Sequence, residues 1–455
     1  MRSRLLLLPA AVLTALVLAG PASAATVTTI PGAPAPGPAK YDKVTVAKYG
    51  PASAKKVLVL VPGTSGGAGD FTLVAKELVR RVPGLQVWTQ DRREQALEDT
   101  SVFKKLLAHQ ATVQQALDYY LGWIGDSSIT PHYQPLQNKD FGFAGDWGMK
   151  VALNDTRRVV LAARKGGRTV ILGGHSLGAS LAAAYAVWDF NGHPGYKDIA
   201  GIVAIDGGLL GSFDTDTVAA ARQRLADLKT KGPFLDLLGL GLPWVSGPFA
   251  ELGAIATLQA PHAPSTLQTF PLLPAAFKPD VPATNAGTFG YAFDESTSPA
   301  ALSLIHVRAG ELDRSVSPAD WKDGEVTPIQ NLAKTFGQEP QNAVDWYFPS
   351  RLGIDTNGAN ALKQNAVAKL LGLRLTHLKD VNIPYYAFQT SLTGAKNGVV
   401  NGAKNFAKAS KVPRSGLKIV DAKATTSHLD PLTAAPATNQ FLKTVEPWLK
   451  AIRTR

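Results

Sequence analysis

The sequence predicts an α/β protein, a mostly parallel sheet with helices on both faces. Two continuous apolar runs, Lys56-Val57-Leu58-Val59-Leu60-Val61 and Thr169-Val170-Ile171-Leu172-Gly173, read as strands buried on both sides. Each is followed by a helical pattern, Phe71, Leu73, Val74, Leu78 and Val79 after the first and the Ala-rich stretch 177–188 after the second. With 455 residues, 45% hydrophobic and 18% charged, the chain is long enough for a large core and too apolar for disorder.

The elements follow in chain order. Arg2 and Arg4, an apolar run over 5–18 and Ala22-Ser23-Ala24 read as a secretory signal peptide, 1–24, with the mature chain starting near Ala25. Pro9, Gly20 and Pro21 interrupt the run, and no second stretch reaches transmembrane length without charges. Pro31, Pro34, Pro36 and Pro38 make 25–40 a stiff tether. A first core segment, 41–206, then holds the strand 56–61, the helix 71–82 and the strand 85–89. It continues through a helix over 149–164, the strand and helix around Ser176, and a strand over 199–205. The alternation stops at Asp206. It resumes with a strand at 384–389, a helix at 402–410, a strand at 417–420 and a closing helix at 445–453. The intervening 207–383, rich in Pro, Gly and Leu, reads as a cap or lid over the strand ends, and 384–455 as the second core segment.

Composition excludes several classes. The 42 Gly and 31 Pro have no period of three, which rules out collagen. Zero cysteines exclude disulfides, thiol catalysis and Cys-based metal sites, and no histidine pair has helical ligand spacing. The net charge is +12, concentrated after Lys396, yet no aromatics interleave with the lysines and no nucleic-acid motif is present. The basic end therefore reads as a solvated face suited to contact with an anionic envelope.

The chemistry centres on Gly174-His175-Ser176-Leu177-Gly178. Between a strand and a helix, such a turn is too sharp for a Cβ at either glycine, and it lifts Ser176 to the carboxyl edge of the sheet. A serine nucleophile needs a base, and His428 follows the last strand in a loop that returns to that edge. His175, inside the turn, is expected to pack sideways. The oxyanion needs two backbone N–H groups: Leu177, after the nucleophile, and Thr64 in the glycine-rich loop Pro62-Gly63-Thr64-Ser65-Gly66-Gly67-Ala68-Gly69. That loop is followed by no lysine, which argues against a phosphate loop.

These residues, with Gln90-Asp91-Arg92 and Ser427-His428-Leu429-Asp430-Pro431, resemble the α/β-hydrolase superfamily over about half the chain. The likeness is greatest to secreted bacterial esterase/lipase-type members with a large cap. The resemblance implies an α/β-hydrolase fold and a triad acid after the strand preceding the last one. Asn397 occupies the matching loop here, and an amide cannot stabilise an imidazolium as a carboxylate does. Asp206, ending the strand beside the Ser176 strand, is the expected acid, as in some superfamily lipases. Asp313 is the alternative, provided 302–307 forms a strand.

The expected function is hydrolysis of a carboxylic ester, of a small molecule or lipid, without a cofactor. The apolar stretches 234–244, 270–273 and 275–277 are either cap packing or an acyl-binding wall. A peptidase or amidase would use the same triad, and a non-catalytic envelope-associated binding protein could keep the same scaffold.

Overall fold

The computed structural model describes residues 25–211, 216–324, 326–338 and 343–454; the expected signal peptide lies outside them. The strands are β1 (Thr26–Pro31), β2 (Lys43–Tyr49), β3 (Lys56–Val61), β4 (Leu85–Gln90), β5 (Thr169–His175), β6 (Ile202–Ile205), β7 (Gly310–Asp313), β8 (Asp320–Asp323), β9 (Tyr385–Gln389) and β10 (Leu417–Asp421). The helices of the first half are α1 (Thr72–Arg81), α2 (Ser101–Leu107), α3 (Val113–Tyr120), α4 (Met149–Arg164) and α5 (Leu177–Val187). Then come α6 (Val218–Lys231), α7 (Ser246–Gln259), α8 (Asn285–Phe293), α9 (Ile329–Phe336), α10 (Ser350–Ala359) and α11 (Ala366–Leu371). The chain closes with α12 (Gly398–Ala409), the single turn α13 (Asp430–Thr433) and α14 (Gln440–Ala451).

Eight strands form one sheet in the order β1-β2-β4-β3-β5-β6-β9-β10. β1 and β2 pair antiparallel, as do β2 and β4, and every other pairing is parallel. The two-residue period of a strand explains the apolar run of β3. Val57, Val59 and Val61 face one core with α4, α5 and α12, whereas Leu58 and Leu60 face the other with α1 and α14. Each such side chain contributes roughly 1.5–3 kcal/mol by leaving water.

The structure departs from expectation in three places. Residues 25–40 are no free tether: β1 pairs with β2, and Ala33 is anchored by its N–H to Asp155 Oδ1 (2.7 Å) and its carbonyl to Arg93 Nη2 (2.7 Å). Residues 93–148, counted with the core, instead supply Phe103, Tyr120, Tyr133 and Trp147 to an aromatic cluster shared with Trp244 and Trp346. At the far end of the insertion, Phe348, Leu352, Val367 and Leu371 pack with the sheet's own helices. Leu209 and Ala221, at the near end of the insertion, join the same core, so both ends of 207–383 pack with the sheet's helices. Among the described residues no helix is long and apolar enough to cross a membrane.

Candidate active site

β5 runs into α5 through Ser176, whose φ of +56° and ψ of −123° are strained for a non-glycine residue. The surrounding backbone enforces the turn. A Cβ on Gly174 would lie 2.3 Å from the Gly178 carbonyl carbon, and one on Gly178 would lie 2.0 Å from Val61 O. Ser176 N–H donates to Ile205 O at 2.8 Å, tying the turn to β6. The side chain is left half-buried at the wall of a cavity.

Directly after β6, Asp206 takes a φ of +43° and turns its buried carboxylate toward the loop after β10. There His428 Nδ1 donates to Asp206 Oδ2 at 2.5 Å. Thr390, just past β9, donates its N–H to Asp206 Oδ1 at 2.8 Å and its hydroxyl to Oδ2. Burial alone would raise the pKa of Asp206, but the hydrogen bond and charge of His428, with the two Thr390 donors, outweigh it and hold it below the ordinary value. An ionised Asp206 can only accept, so Nδ1 carries the proton of this bond, which turns Nε2 away from Asp206.

Asn397, where the resemblance would place an acid, and the alternative acid Asp313 stand elsewhere. Asn397 caps α12 in a left-handed conformation, its Oδ1 accepting from Lys423 Nζ at 2.5 Å. Asp313 lies on the two-stranded β7–β8 ribbon, accepting from the Ser315 N–H at 2.9 Å. The stretch expected to be its supporting strand is a 3₁₀ helix, Ala300–Ile305, so nothing carries Asp313 to the sheet edge.

The loop bearing His428 is held from several sides. His175 Nε2 donates to the His428 carbonyl at 2.8 Å, and the rings lie 4.3 Å apart. Burial, then repulsion from His428, pushes the His175 pKa down to about 3, so its imidazole is neutral. Leu429 N–H donates to His306 O at 3.0 Å. The buried Asp430 carboxylate gathers Ser427 N–H (2.6 Å), Arg308 N–H (3.0 Å) and the Thr327 hydroxyl (2.7 Å). Residues of the insertion thus grip the histidine loop.

Thr64 lines the same cavity as Ser176 and Leu177 follows it in the chain, and among the described residues neither backbone N–H has a hydrogen-bond partner. The loop around Thr64 is shaped from beneath by the buried Arg92. Its Nη1 donates to Pro62 O at 3.0 Å and its Nη2 to Gly66 O at 2.9 Å, so one guanidinium holds both ends of the turn. Nε bonds Glu94 at 2.8 Å and Nη2 reaches Asp345 at 3.2 Å. Asp91 accepts the Ala68 N–H at 2.7 Å, and burial pushes its pKa up to about 7. In the sequence Gln90-Asp91-Arg92 stands out only as a motif; Asp345, far along the chain, gives no sign of its partnership.

Ser176, His428 and Thr64 line a cavity of about 130 Å³ whose walls are mainly apolar. Two helices of the insertion turn one face each into it: Ser246, Phe249, Ala250 and Gly253 on α7, and Asn285, Thr288, Phe289 and Ala292 on α8. Both sets follow the i, i+3, i+4, i+7 spacing of a single helix face. Leu237, Leu273 and Phe277, from the three apolar stretches, line it as well. Among the described residues no cluster of His, Asp and Glu could hold a metal ion.

No family model matches the chain, and no curated protein matches it. Solved structures do. A Sulfolobus solfataricus protein provisionally named a lipase superposes with a TM-score of 0.50 at 15% identity, covering 94% of each chain. An epoxide hydrolase of Vigna radiata gives 0.43 at 11% identity, over 94% of this chain and 98% of its own. A thermophilic esterase of Thermogutta terrifontis gives 0.40 at 13%, over 94% and 100%. The first likeness, with the eight-stranded, mostly parallel sheet and its flanking helices, shows that the chain has the α/β-hydrolase fold.

Proposed function

We propose that the protein is a serine hydrolase that cleaves carboxylic esters with an apolar acyl group, through Ser176, His428 and Asp206. The observation carrying this reading is the 2.5 Å bond from His428 to an ionised, buried Asp206, on the same cavity wall as a strained serine. His428 Nε2 takes the Ser176 proton as Oγ attacks the acyl carbon, and Asp206 stabilises the imidazolium. The Thr64 and Leu177 N–H groups hold the carbonyl oxygen as it becomes negative. The imidazolium then protonates the departing alcohol, leaving an acyl-enzyme. Water, deprotonated by the same imidazole, releases the acid and restores Ser176.

The apolar walls from α7 and α8 favour a hydrocarbon acyl chain, and this reading takes the insertion as the cap that forms the binding site. It also takes the enzyme to be exported through residues 1–24, with its basic C-terminal face touching an anionic envelope. Hydrolysis of p-nitrophenyl hexanoate by the mature chain, and its loss in Ser176→Ala, tests the proposal. No hydrolysis of p-nitrophenyl esters of any chain length would overturn it.

A further inference from the structure

One titratable group in the cavity has no part in that mechanism. Asp70 sits on the 3₁₀ turn Ala68–Phe71, just past the loop that carries Thr64, and lines the same cavity as Ser176. The side chain leans over Gly66, where a Cβ would fall 2.3 Å from its Oδ2. The same loop touches the nucleophile, since a Cβ on Gly63 would lie 3.0 Å from Ser176 Cβ. α9 packs on this turn and brings Phe336 to the wall, with Val344 nearby. Asp70 is thus a polar group in a mainly apolar cavity, on the loop segment that also meets Ser176.

Its electrostatic surroundings are unbalanced. Arg92 is the cation that acts on it, but that guanidinium is already engaged by Pro62, Gly66, Glu94 and Asp345. Asp91 opposes its ionisation, the Gly67 backbone favours it weakly, and His428 and the neutral His175 line the same cavity. Among the described residues no ion pair reaches Asp70. Burial, the largest influence, pushes its pKa well above the ordinary carboxylate value. A carboxylic acid that keeps its proton is a hydrogen-bond donor.

We propose that Asp70 is a specificity-determining residue whose carboxyl donates a hydrogen bond to a second oxygen in the acyl chain. The preferred substrates are then apolar esters bearing an ether, keto or hydroxyl oxygen close to the scissile carbonyl. This deepens the ester-hydrolase reading and rests on it. In an apolar cavity a buried donor left unpaired is costly, so the plain hydrocarbon ester leaves the Asp70 proton without an acceptor and the oxygenated one supplies it.

The test compares p-nitrophenyl heptanoate with p-nitrophenyl butoxyacetate, of equal chain length, and with isomers whose ether oxygen lies further along. Each rate is divided by the ester's rate with hydroxide, which removes intrinsic reactivity. An ether oxygen accepts only, so it reads a protonated Asp70. Wild type should favour at least one ether ester by about five- to tenfold in kcat/KM. That preference should fall at alkaline pH as Asp70 ionises. Asp70→Asn, whose amide still donates, should keep a preference with no such pH dependence, and Asp70→Leu should lose it. If Asp70→Leu does not fold, the contrast in pH dependence between wild type and Asp70→Asn decides alone. Heptanoate hydrolysis with no preference at any oxygen position, or a preference surviving in Asp70→Leu, overturns the proposal and leaves the ester reading intact. Absence of hydrolysis of every ester defeats both.

Discussion

His175 donates from Nε2 to the carbonyl oxygen of His428, so the residue before Ser176 holds the loop that carries His428. The bond joins β5 to the segment after β10, at opposite sides of the strand arrangement that builds the site. His175→Ala should leave that buried carbonyl unpaired and cost about 1–3 kcal/mol. Urea denaturation checks the stability, and kcat should fall with KM little altered, because the base rather than the binding wall is displaced.

Asp206→Asn should lower kcat by about 10⁴-fold, as in serine proteases when the triad acid becomes an amide and the histidine takes the wrong tautomer. Asp313→Asn should remain close to wild type, since Asp313 lies half-buried on the β7–β8 ribbon and its carboxylate bonds locally, to Ser315. Both variants are to be measured on one ester. A crippled Asp313→Asn beside a normal Asp206→Asn would contradict the geometry.

The carboxyls around Arg92 make stability depend on pH. Burial raises Asp91 to about 7, and burial followed by the charge of Asp345 raises Glu94. Each binds its proton more tightly folded than unfolded, so its contribution is fully present below the ordinary carboxylate range and is lost as pH rises. Denaturation midpoints should therefore decline from about pH 4 to 7 on account of Asp91, and Glu94→Gln should flatten the remaining slope above that. Arg92→Met, which leaves Glu94 and Asp345 buried without their cation, should cost about 3–5 kcal/mol.

Acyl-chain selectivity should follow the α7–α8 contact. A Cβ on Gly253 would lie 2.9 Å from the Phe289 ring, and both residues line the cavity. Gly253→Ala should push that ring inward and shift the best p-nitrophenyl ester to a shorter chain. Longer esters should lose about tenfold or more in kcat/KM, the scale of a one-methylene misfit. An unaltered chain-length profile would mean that the acyl chain does not run between these helices.

The parts legible in the sequence are those with a local signature. β3 and β5 stand out because burial on both faces makes nearly every residue apolar, and the Ser176 turn because only glycine fits at 174 and 178. Asp206 can be found from its place at a strand end. β1 is hidden because an edge strand such as Thr26–Pro31 buries none of its residues, β2 because Thr45 and Lys48 interrupt its apolar positions, and the prolines after β1 suggest a free tether. Those prolines lie in a segment docked through Ala33 onto Arg93 and Asp155. Likewise Thr390 holding Asp206, and Arg92 meeting Asp345, join residues 184 and 253 positions apart. Such pairs have no period or motif, and only the folded topology brings them together.

Whether Ser176 is the nucleophile is tested most directly by treating the mature chain with a fluorophosphonate and locating the adduct by peptide mass spectrometry. The expected result is one modified serine, Ser176, with labelling abolished in Ser176→Ala and slowed in Asp206→Asn. An adduct on another serine, or none on folded protein, would contradict the assignment.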